Sequence, residues 1–321
     1  MKKILIIITI ALLTGILVTS CEKDVFLDVG DVEDLLVVEG YVLKGETPFV
    51  LLTNSFPNGQ TIDLDSLFYS GNATVKVTDQ SGMEVTLARR TANELTTVQK
   101  AYLSEQFLLD PIILYFIPVY IDTSNTIMGI ENGTYNLSIE YEDKTLTAST
   151  TIPPLRPLDS LTYVKKENFD SLYTVFIHLR MTGSGNYVRY LTKRNSEPFF
   201  PPGTTGANWS DATFQGAESL TLPIERGYPS ILVRDSLGNL PPGVEERPDD
   251  ISELGAFKLG DTVTVMWNNI DRESYLFWSS IDADGGDTPF SSPVKALTNV
   301  TGGLGIFAGY NQSFYTTVII Q

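Results

Sequence analysis

Three aspartates near the end of the chain have the spacing of metal ligands. Asp282, Asp284 and Asp287 surround two glycines, residues 285–286. Hard oxygen ligands on nearly alternate residues can wrap a calcium ion. An EF-hand loop, however, needs a bidentate glutamate at the position that Pro293 occupies. The pattern therefore predicts an acidic surface turn, with Ca²⁺ as the alternative and no other cofactor.

Other catalytic constellations are not apparent. The chain has one histidine, His178, and one cysteine, Cys21, whereas zinc sites need several such ligands. Gly183-Ser184-Gly185 lacks the strand–turn–helix pattern of a nucleophile elbow. A glycosidase needs a pair of carboxylates, and in so acidic a chain nothing singles out a pair. We therefore predict no enzymatic activity, with a hydrolase that uses an unrecognised carboxylate site as one alternative.

Composition limits the classes of partner. The 321 residues carry a formal net charge of −17, and 42% of them are hydrophobic. A chain of this composition can bury a full core, whereas its charge repels phosphate backbones and argues against nucleic-acid binding. With a single cysteine, no internal disulfide can form.

The amino terminus has the pattern of a secretion signal. Two lysines at 2–3 precede the apolar stretch 4–18, which is shorter than the roughly 20 residues that span a membrane. Val18-Thr19-Ser20-Cys21 resembles the lipobox of bacterial lipoproteins, in which the signal is cut before a cysteine that then receives lipid. We expect a signal peptide over 1–20, palmitate-type acylation of Cys21 and an acidic tether over 21–34, with an uncleaved membrane span as the alternative.

Residues 35–154 read as a β-sandwich. Leu35–Leu43 and Phe49–Thr53 are rich in β-branched and aromatic residues. Two alternating stretches fold back on themselves as hairpins, at residues 73–88 and 134–151. Short antiparallel strands separated by turns predict an immunoglobulin-like first domain that ends near Pro154.

An apolar run, Phe107–Ile121, interrupts this pattern. It includes Phe116 and is broken only by Pro111 and Pro118. The run is either a core or edge strand or an exposed patch that docks on a partner protein. The two prolines are awkward in a central strand and favour the second interpretation somewhat.

Residues 155–321 form a second β-rich domain in this interpretation. Strands are predicted near 161–164, 173–181, 187–192, 261–267 and 314–320, and Tyr275–Ile281 is either a strand or a short helix. His178 is expected to be a packed or half-exposed strand residue. Long Pro/Gly-rich loops connect the strands, and loops of this length often bind something. Phe199, Phe200 and Trp209 are the candidate ligand or partner contacts, although the same rings would also serve to cover a sheet.

The glycines near the end of the chain predict a tight turn. Asn299–Gly309 carries four glycines among hydrophobic residues. Its spacing differs from that of a dinucleotide or Walker motif, and no lysine follows. Glycine there would let two backbones approach closely.

Several of these segments together resemble a known family. Val37–Tyr41, Gly133–Leu137 with Ala148–Pro154, Gly260–Val265 and Asn299–Phe307 are similar to a family of Bacteroidota lipoproteins named domain of unknown function 4249. The resemblance implies an outer-membrane lipoprotein, often encoded beside a TonB-dependent receptor, with an immunoglobulin-like first domain. It implies no catalytic site.

These observations lead to one main functional expectation. We expect a lipid-anchored, non-enzymatic accessory of a TonB-dependent transporter that captures or hands over a ligand at the outer membrane. The sequence leaves open whether the protein is exposed at the cell surface. A surface adhesin or structural module is the second hypothesis, because immunoglobulin-like domains and exposed aromatic side chains suit that role.

Overall fold

The computed structural model describes residues 35–55, 71–109, 113–115, 117–180, 183–202, 207–214, 219–229, 239–240, 243–283 and 297–321. These residues belong to one compact unit, Asp34–Phe56 with Gln60–Gln321. Cys21, Phe116, Asp284 and Asp287 lie outside the described residues, as do the predicted signal peptide and tether.

The described residues are mainly β-structure, as the sequence predicted. Three α-helices are present among them: α1 (Thr97–Phe107), α2 (Asp211–Phe214) and α3 (Arg272–Ala283). The strands are β1 (Leu36–Leu43), β2 (Phe49–Asn54), β3 (Ala73–Asp79), β4 (Glu84–Thr86), β5 (Ala88–Arg90), β6 (Val119–Ile121), β7 (Thr134–Tyr141), β8 (Lys144–Thr151), β9 (Leu158–Lys165), β10 (Leu172–Leu179), β11 (Val188–Arg194), β12 (Asn208–Trp209), β13 (Leu220–Ile224), β14 (Phe257–Lys258), β15 (Thr262–Asn269) and β16 (Leu304–Val318).

One large sheet organises this unit. Its eight strands lie in the order β12-β11-β15-β16-β1-β2-β6-β5. The long strand β16 pairs in parallel with β1 through residues 304–310 and antiparallel with β15 through residues 311–318. The boundary predicted near Pro154 therefore falls between strands that share one sheet.

Two smaller antiparallel sheets pack against one face of the large sheet. The hairpin sheet β4-β3-β7-β8 buries Val75 and Leu137 against Val38 and Phe307 of the large sheet. Strand β10 pairs with β9, β13 and β14 in the other small sheet. Burial of alternate residues explains this layering, since successive side chains of a strand point to opposite faces.

The core between the β10 sheet and the large sheet is built around tryptophan side chains. Trp267 of β15 is fully buried, and its indole Nε1 donates a hydrogen bond to the Arg156 carbonyl at 2.9 Å. Trp209 packs edge-on against Trp267 at 5.9 Å between ring centroids. Val175 and Ile177 of β10 complete the contact between the small sheet and the large one.

Helices α1 and α3 cover part of the opposite face of the large sheet. Thr96 caps α1 by accepting a hydrogen bond from the Gln99 amide at 3.2 Å, and the Gln99 side chain accepts one from the Thr96 amide at 2.9 Å. This reciprocal pair is a capping box. Asp271 precedes α3 and accepts a hydrogen bond from the Ser274 amide at 2.8 Å.

Tyr275–Ile281, for which the sequence left strand or helix open, is thus part of α3. None of the helices in the described part of the chain is long and apolar enough to span a membrane.

The described part of the apolar run is core. Phe107, Leu114, Ile117, Val119 and Ile121 are buried in the contact between α1 and the large sheet, and Tyr120 is buried on the opposite face of the sheet. Tyr115 is exposed, whereas Phe116 lies outside the described residues. For the buried residues, the core interpretation is the one that holds.

The glycine-rich turn brings two backbones together, as predicted. Gly305 has a φ of +102°, and a Cβ atom at this position would lie 1.9 Å from the Val38 carbonyl oxygen. Gly302, with a φ of +86°, approaches the Thr145 carbonyl in the same way. Only glycine has the backbone freedom and the small size that this junction of β1 and β16 requires.

A buried network of charges lies at one end of β11. Glu197 accepts hydrogen bonds from Arg194 at 3.1 Å and from Arg226 at 3.0 Å. Glu245 pairs with the same two arginines, at 2.9 and 3.3 Å. Hydrogen bonds from Arg194 and from Lys258 lower the pKa of Glu245 to about 2. The network joins residues 194–197 to the segments that carry Arg226 and Glu245.

Candidate functional site

A cavity of about 310 Å³ lies on the helix-bearing face of the large sheet. Four adjacent strands, β11, β15, β16 and β1, form its floor, and each contributes two side chains that alternate along the strand. These are Arg189, Leu191, Met266, Asn268, Tyr310, Gln312, Glu39 and Tyr41. The cavity is therefore built on rigid hydrogen-bonded strands.

Helices α1 and α3 and one loop supply the walls of the cavity. The end of α1 contributes residues 105–108, and α3 contributes Trp278, Ile281 and Asp282. Phe200 and Pro201 close another side. Most of these groups are apolar, so the few polar groups in the cavity decide its chemistry.

A carboxyl group sits in the floor of the cavity. Glu39 lies on the partly buried face of β1, and the Tyr41 hydroxyl donates a hydrogen bond to its Oε1 at 2.5 Å. Burial raises the pKa of Glu39 to about 7, against the opposing effects of the Tyr41 hydrogen bond and of the Arg189 charge. Burial and the nearby Glu39 charge also raise the pKa of Tyr41. Glu39 can therefore change its protonation state near neutral pH.

The Arg189 guanidinium is held on several sides. Its Nη1 lies 3.2 Å from Asp282 Oδ2 and 2.9 Å from Asn208 Oδ1. The guanidinium carbon lies 4.0 Å from the centre of the Trp278 ring, in cation–π geometry. Arg189 is only 4% exposed. Its charge is thus already matched inside the protein.

Two further hydrogen bonds order the cavity side chains. Trp278 Nε1 donates to the Tyr310 hydroxyl at 2.7 Å, and the Tyr310 ring lies 5.1 Å from that of Tyr41. Gln312 donates to Asn268 Oδ1 at 3.0 Å on the neighbouring strand. Burial raises the pKa of Tyr310, which keeps this hydroxyl neutral. The lining is therefore preorganised around Glu39.

Phe199, Phe200 and Trp209, which the sequence predicted as contacts, lie in different parts of the structure. Phe200 lines the cavity. Phe199 is 3% exposed and packs beside it against Leu191 and Met266. Trp209 is 7% exposed and belongs to the core on the other face of the sheet. Phe199 and Trp209 thus cover the sheet, which is the second role that the sequence left open for these rings.

Asp282 has a defined partner in the described residues. Its Oδ2 pairs with Arg189 and accepts a hydrogen bond from Asn208 at 2.5 Å. Of the predicted calcium ligands, Asp284 and Asp287 lie outside the described residues. Within the described ranges, no cluster of three or more His, Cys, Asp or Glu side chains could hold a metal ion.

His178 does not line the cavity. It lies on an exposed strand surface, between the Thr162 hydroxyl at 2.7 Å and the Thr221 hydroxyl at 2.9 Å. These cross-strand contacts account for a polar ring at this position. They agree with the prediction of a half-exposed strand residue.

Sequence reasoning missed the residues that define the cavity. Glu39 offered a signal, because it is a lone carboxylate within the otherwise apolar run 35–43. Arg189, Trp278 and Tyr310 offered none, since they are separated by many residues and meet only through the order of strands in the sheet.

Comparison with known proteins adds a family. No curated protein matches the chain. The family model described as "Domain of unknown function (DUF4249)" matches residues 22–316, which include the described strands that form the cavity. The chain therefore belongs to the DUF4249 family.

Proposed function

We propose that this protein is a lipid-anchored protein of the outer membrane whose cavity binds a small ligand and hands it to a TonB-dependent transporter. The observation that carries the binding role is the cavity of about 310 Å³ with a buried, titratable carboxyl in its floor. Mostly apolar cavities with a few convergent polar groups are typical small-molecule sites.

The floor of the cavity supports a binding role in particular. Its side chains project from four hydrogen-bonded strands, and internal hydrogen bonds already fix Tyr41, Trp278 and Tyr310. A preformed site loses little conformational entropy when a ligand binds. Binding can thus proceed without rearrangement of the sheet.

The proposals of a lipid anchor and of a transporter partner are based on the sequence. The motif that ends at Cys21 suits lipidation, and several acyl chains on one residue would anchor the protein stably. The transporter partner is what the resemblance to Bacteroidota lipoproteins implies. Acidic residues between Cys21 and the first described strand would keep the folded part away from an anionic surface.

Native mass spectrometry tests the binding role. The full-length protein, purified from its own membranes in mild detergent, is expected to carry a bound small molecule. Ile281→Trp, which places a large ring beside the cavity, should lose this molecule. Ile320→Trp is the matched control, because Ile320 is exposed and does not line the cavity. Equal occupancy in both variants, or an empty wild-type protein, would argue against the cavity as the site.

Two further measurements test the anchor and the partner. Mass spectrometry of the amino-terminal peptide should find an acylated Cys21. The detergent-solubilised protein should co-purify with a receptor barrel. An unacylated cysteine would remove the anchor from the proposal, and a protein that is always isolated alone would remove the transporter.

A hydrolase is the second candidate, and one observation favours it. A carboxyl with a pKa of about 7 in an enclosed site is suited to general acid catalysis. Screening of glycans and peptides would decide, since Glu39→Gln should then abolish hydrolysis. An adhesin has less support, because Phe199, Phe200 and Trp209 are buried; Phe116, the fourth aromatic side chain proposed for contact, lies outside the described residues.

A further inference from the structure

The charges that border the cavity do not balance. Glu39, Glu105 and Asp282 contribute carboxylates, whereas Arg189 is the cation among the described lining residues. Arg189 and Asp282 form an ion pair at 3.2 Å and largely cancel each other. Glu39 in the floor and Glu105 in the wall remain, so the cavity presents a negative potential to a ligand.

The Nη1 atom of Arg189 is not available to receive an anionic ligand. Asp282 and Asn208 occupy its Nη1, and the Trp278 ring covers one of its faces. A carboxylate or phosphate that approached this nitrogen would have to displace Asp282, and the Asp282 charge would repel an anion bound beside it. The cavity chemistry therefore disfavours anions.

The Glu39 carboxyl has one oxygen atom that a ligand can reach from the floor of the cavity. Tyr41 donates its hydrogen bond to Oε1, and among the described residues the structure records no donor to Oε2. The residue borders the cavity and retains partial exposure there. An ionised carboxylate in apolar surroundings is costly unless a cation pairs with it.

We propose that the cavity binds an apolar primary amine, with its ammonium group against Glu39 and its hydrophobic body against Leu191, Phe200 and Met266. This inference rests on the proposed binding function and names its ligand class. The rings of Tyr41 and Tyr310 flank Glu39 and add favourable contacts for a cation. A cavity of 310 Å³ suits a small ligand rather than a peptide or polymer.

The binding should depend on pH in one direction. A primary alkylamine stays protonated across the neutral range, whereas Glu39 ionises with a pKa of about 7. Affinity should therefore increase between pH 5.5 and 8.5 and level off above it. The charged and titratable groups that face Glu39 are Tyr41 on its own strand, Tyr310 on β16, Arg189 on β11, Asp282 on α3 and Glu105 on α1.

Three probes that share a phenylethyl group and differ in their polar group test the ligand class. Binding of 2-phenylethylamine, 2-phenylethanol and 3-phenylpropanoate to the full-length protein in mild detergent is measured by ligand-observed NMR at pH 8. The amine should bind about tenfold more tightly than the alcohol, as a charge-assisted hydrogen bond would give. The propanoate should bind most weakly. Hexylamine and tryptamine extend the series in size.

Two variants connect the preference to one carboxyl. Glu39→Gln should bind the amine and the alcohol equally. It should also lose the pH dependence. Glu140→Gln removes the same charge from the exposed face of β7 and should leave the preference unchanged.

The outcomes separate this inference from the binding function. Equal or tighter binding of the alcohol or the propanoate would overturn the amine assignment and leave small-molecule binding intact. The amine assignment would also be overturned if no amine probe bound while the native protein carried a molecule without an amino group. Failure of every probe with an empty native protein would reject both.

Discussion

Replacement of Glu39 by glutamine should change how the stability of the protein depends on pH. The glutamine Oε1 can still accept the hydrogen bond from Tyr41, which measures 2.5 Å in the structure, so packing and hydrogen bonding are kept. What the variant removes is the titration of a carboxyl in an apolar site. The two proteins should therefore differ only where Glu39 is ionised.

The size of the effect follows from the pKa. Burial raises the pKa of Glu39 from 4.5 to about 7 in the folded protein. Because each tenfold change in an equilibrium constant corresponds to about 1.4 kcal/mol, ionised Glu39 should lower the free energy of unfolding by about 3 kcal/mol.

The sign follows from the direction of the shift. The folded state prefers the protonated carboxyl, so stability from this group is complete below pH 4.5. It is lost as pH rises through 7.

Urea unfolding of the full-length chain, monitored by tryptophan fluorescence at pH 4.5 and pH 8, measures this effect. Glu39→Gln should be about as stable as the wild type at pH 4.5 and about 3 kcal/mol more stable at pH 8. Other carboxyls also have shifted pKa values, lowered at Glu245 and raised at Glu197, so the difference between the two proteins is the quantity that matters. Glu140→Gln provides the matched control and should follow the wild type.

The reasoning would be refuted if the wild type and Glu39→Gln showed the same stability difference at both pH values. That result would mean that Glu39 is well solvated in the folded protein. The proposed pH dependence of amine binding would then lose its basis as well.

Three further substitutions test the architecture, each by urea unfolding. Gly305→Ala should lower the free energy of unfolding by at least about 3 kcal/mol, because the new methyl group meets a carbonyl of β1. Gly260→Ala is the control, also at positive φ but in open space, and should cost about 1–2 kcal/mol. Equal losses in the two variants would contradict the close approach at Gly305. Glu197→Gln should cost about 3–5 kcal/mol because it removes the buried carboxylate that pairs with both Arg194 and Arg226. Glu84→Gln, in an exposed ion pair, should cost less than about 1 kcal/mol, and a small loss at Glu197 would show that the network is solvated. Asp271→Ala should cost at least about 1 kcal/mol, because it removes the cap of α3 and the hydrogen bond that Asp271 accepts from Thr150; unchanged stability would mean that both contacts are dispensable.

Local patterns explain why many strands were predictable. The hairpin of β7 and β8 alternates buried and exposed residues along its length, so its sequence predicts both the strands and the face that packs. The glycine-rich turn was likewise readable, because a positive φ at Gly305 restricts the residue type. In both cases the determinant lies within a few residues.

Helix α1 shows where local patterns were insufficient. Its apolar residues do not form a single stripe, so helical periodicity is absent, yet Thr96 and Gln99 carry the spacing of a capping box. That signal was present in the sequence and was not used. The cavity is different in kind, because Glu39, Arg189 and Tyr310 come together only through pairing between distant strands.

The parallel pairing of β1 with β16 has a consequence for biogenesis. One edge of β1 pairs with the adjacent strand β2, but the other edge pairs with residues 304–310, nearly the whole described length away. Contacts so distant in sequence form late and slowly. During synthesis, the large sheet therefore stays incomplete until β16 has left the ribosome.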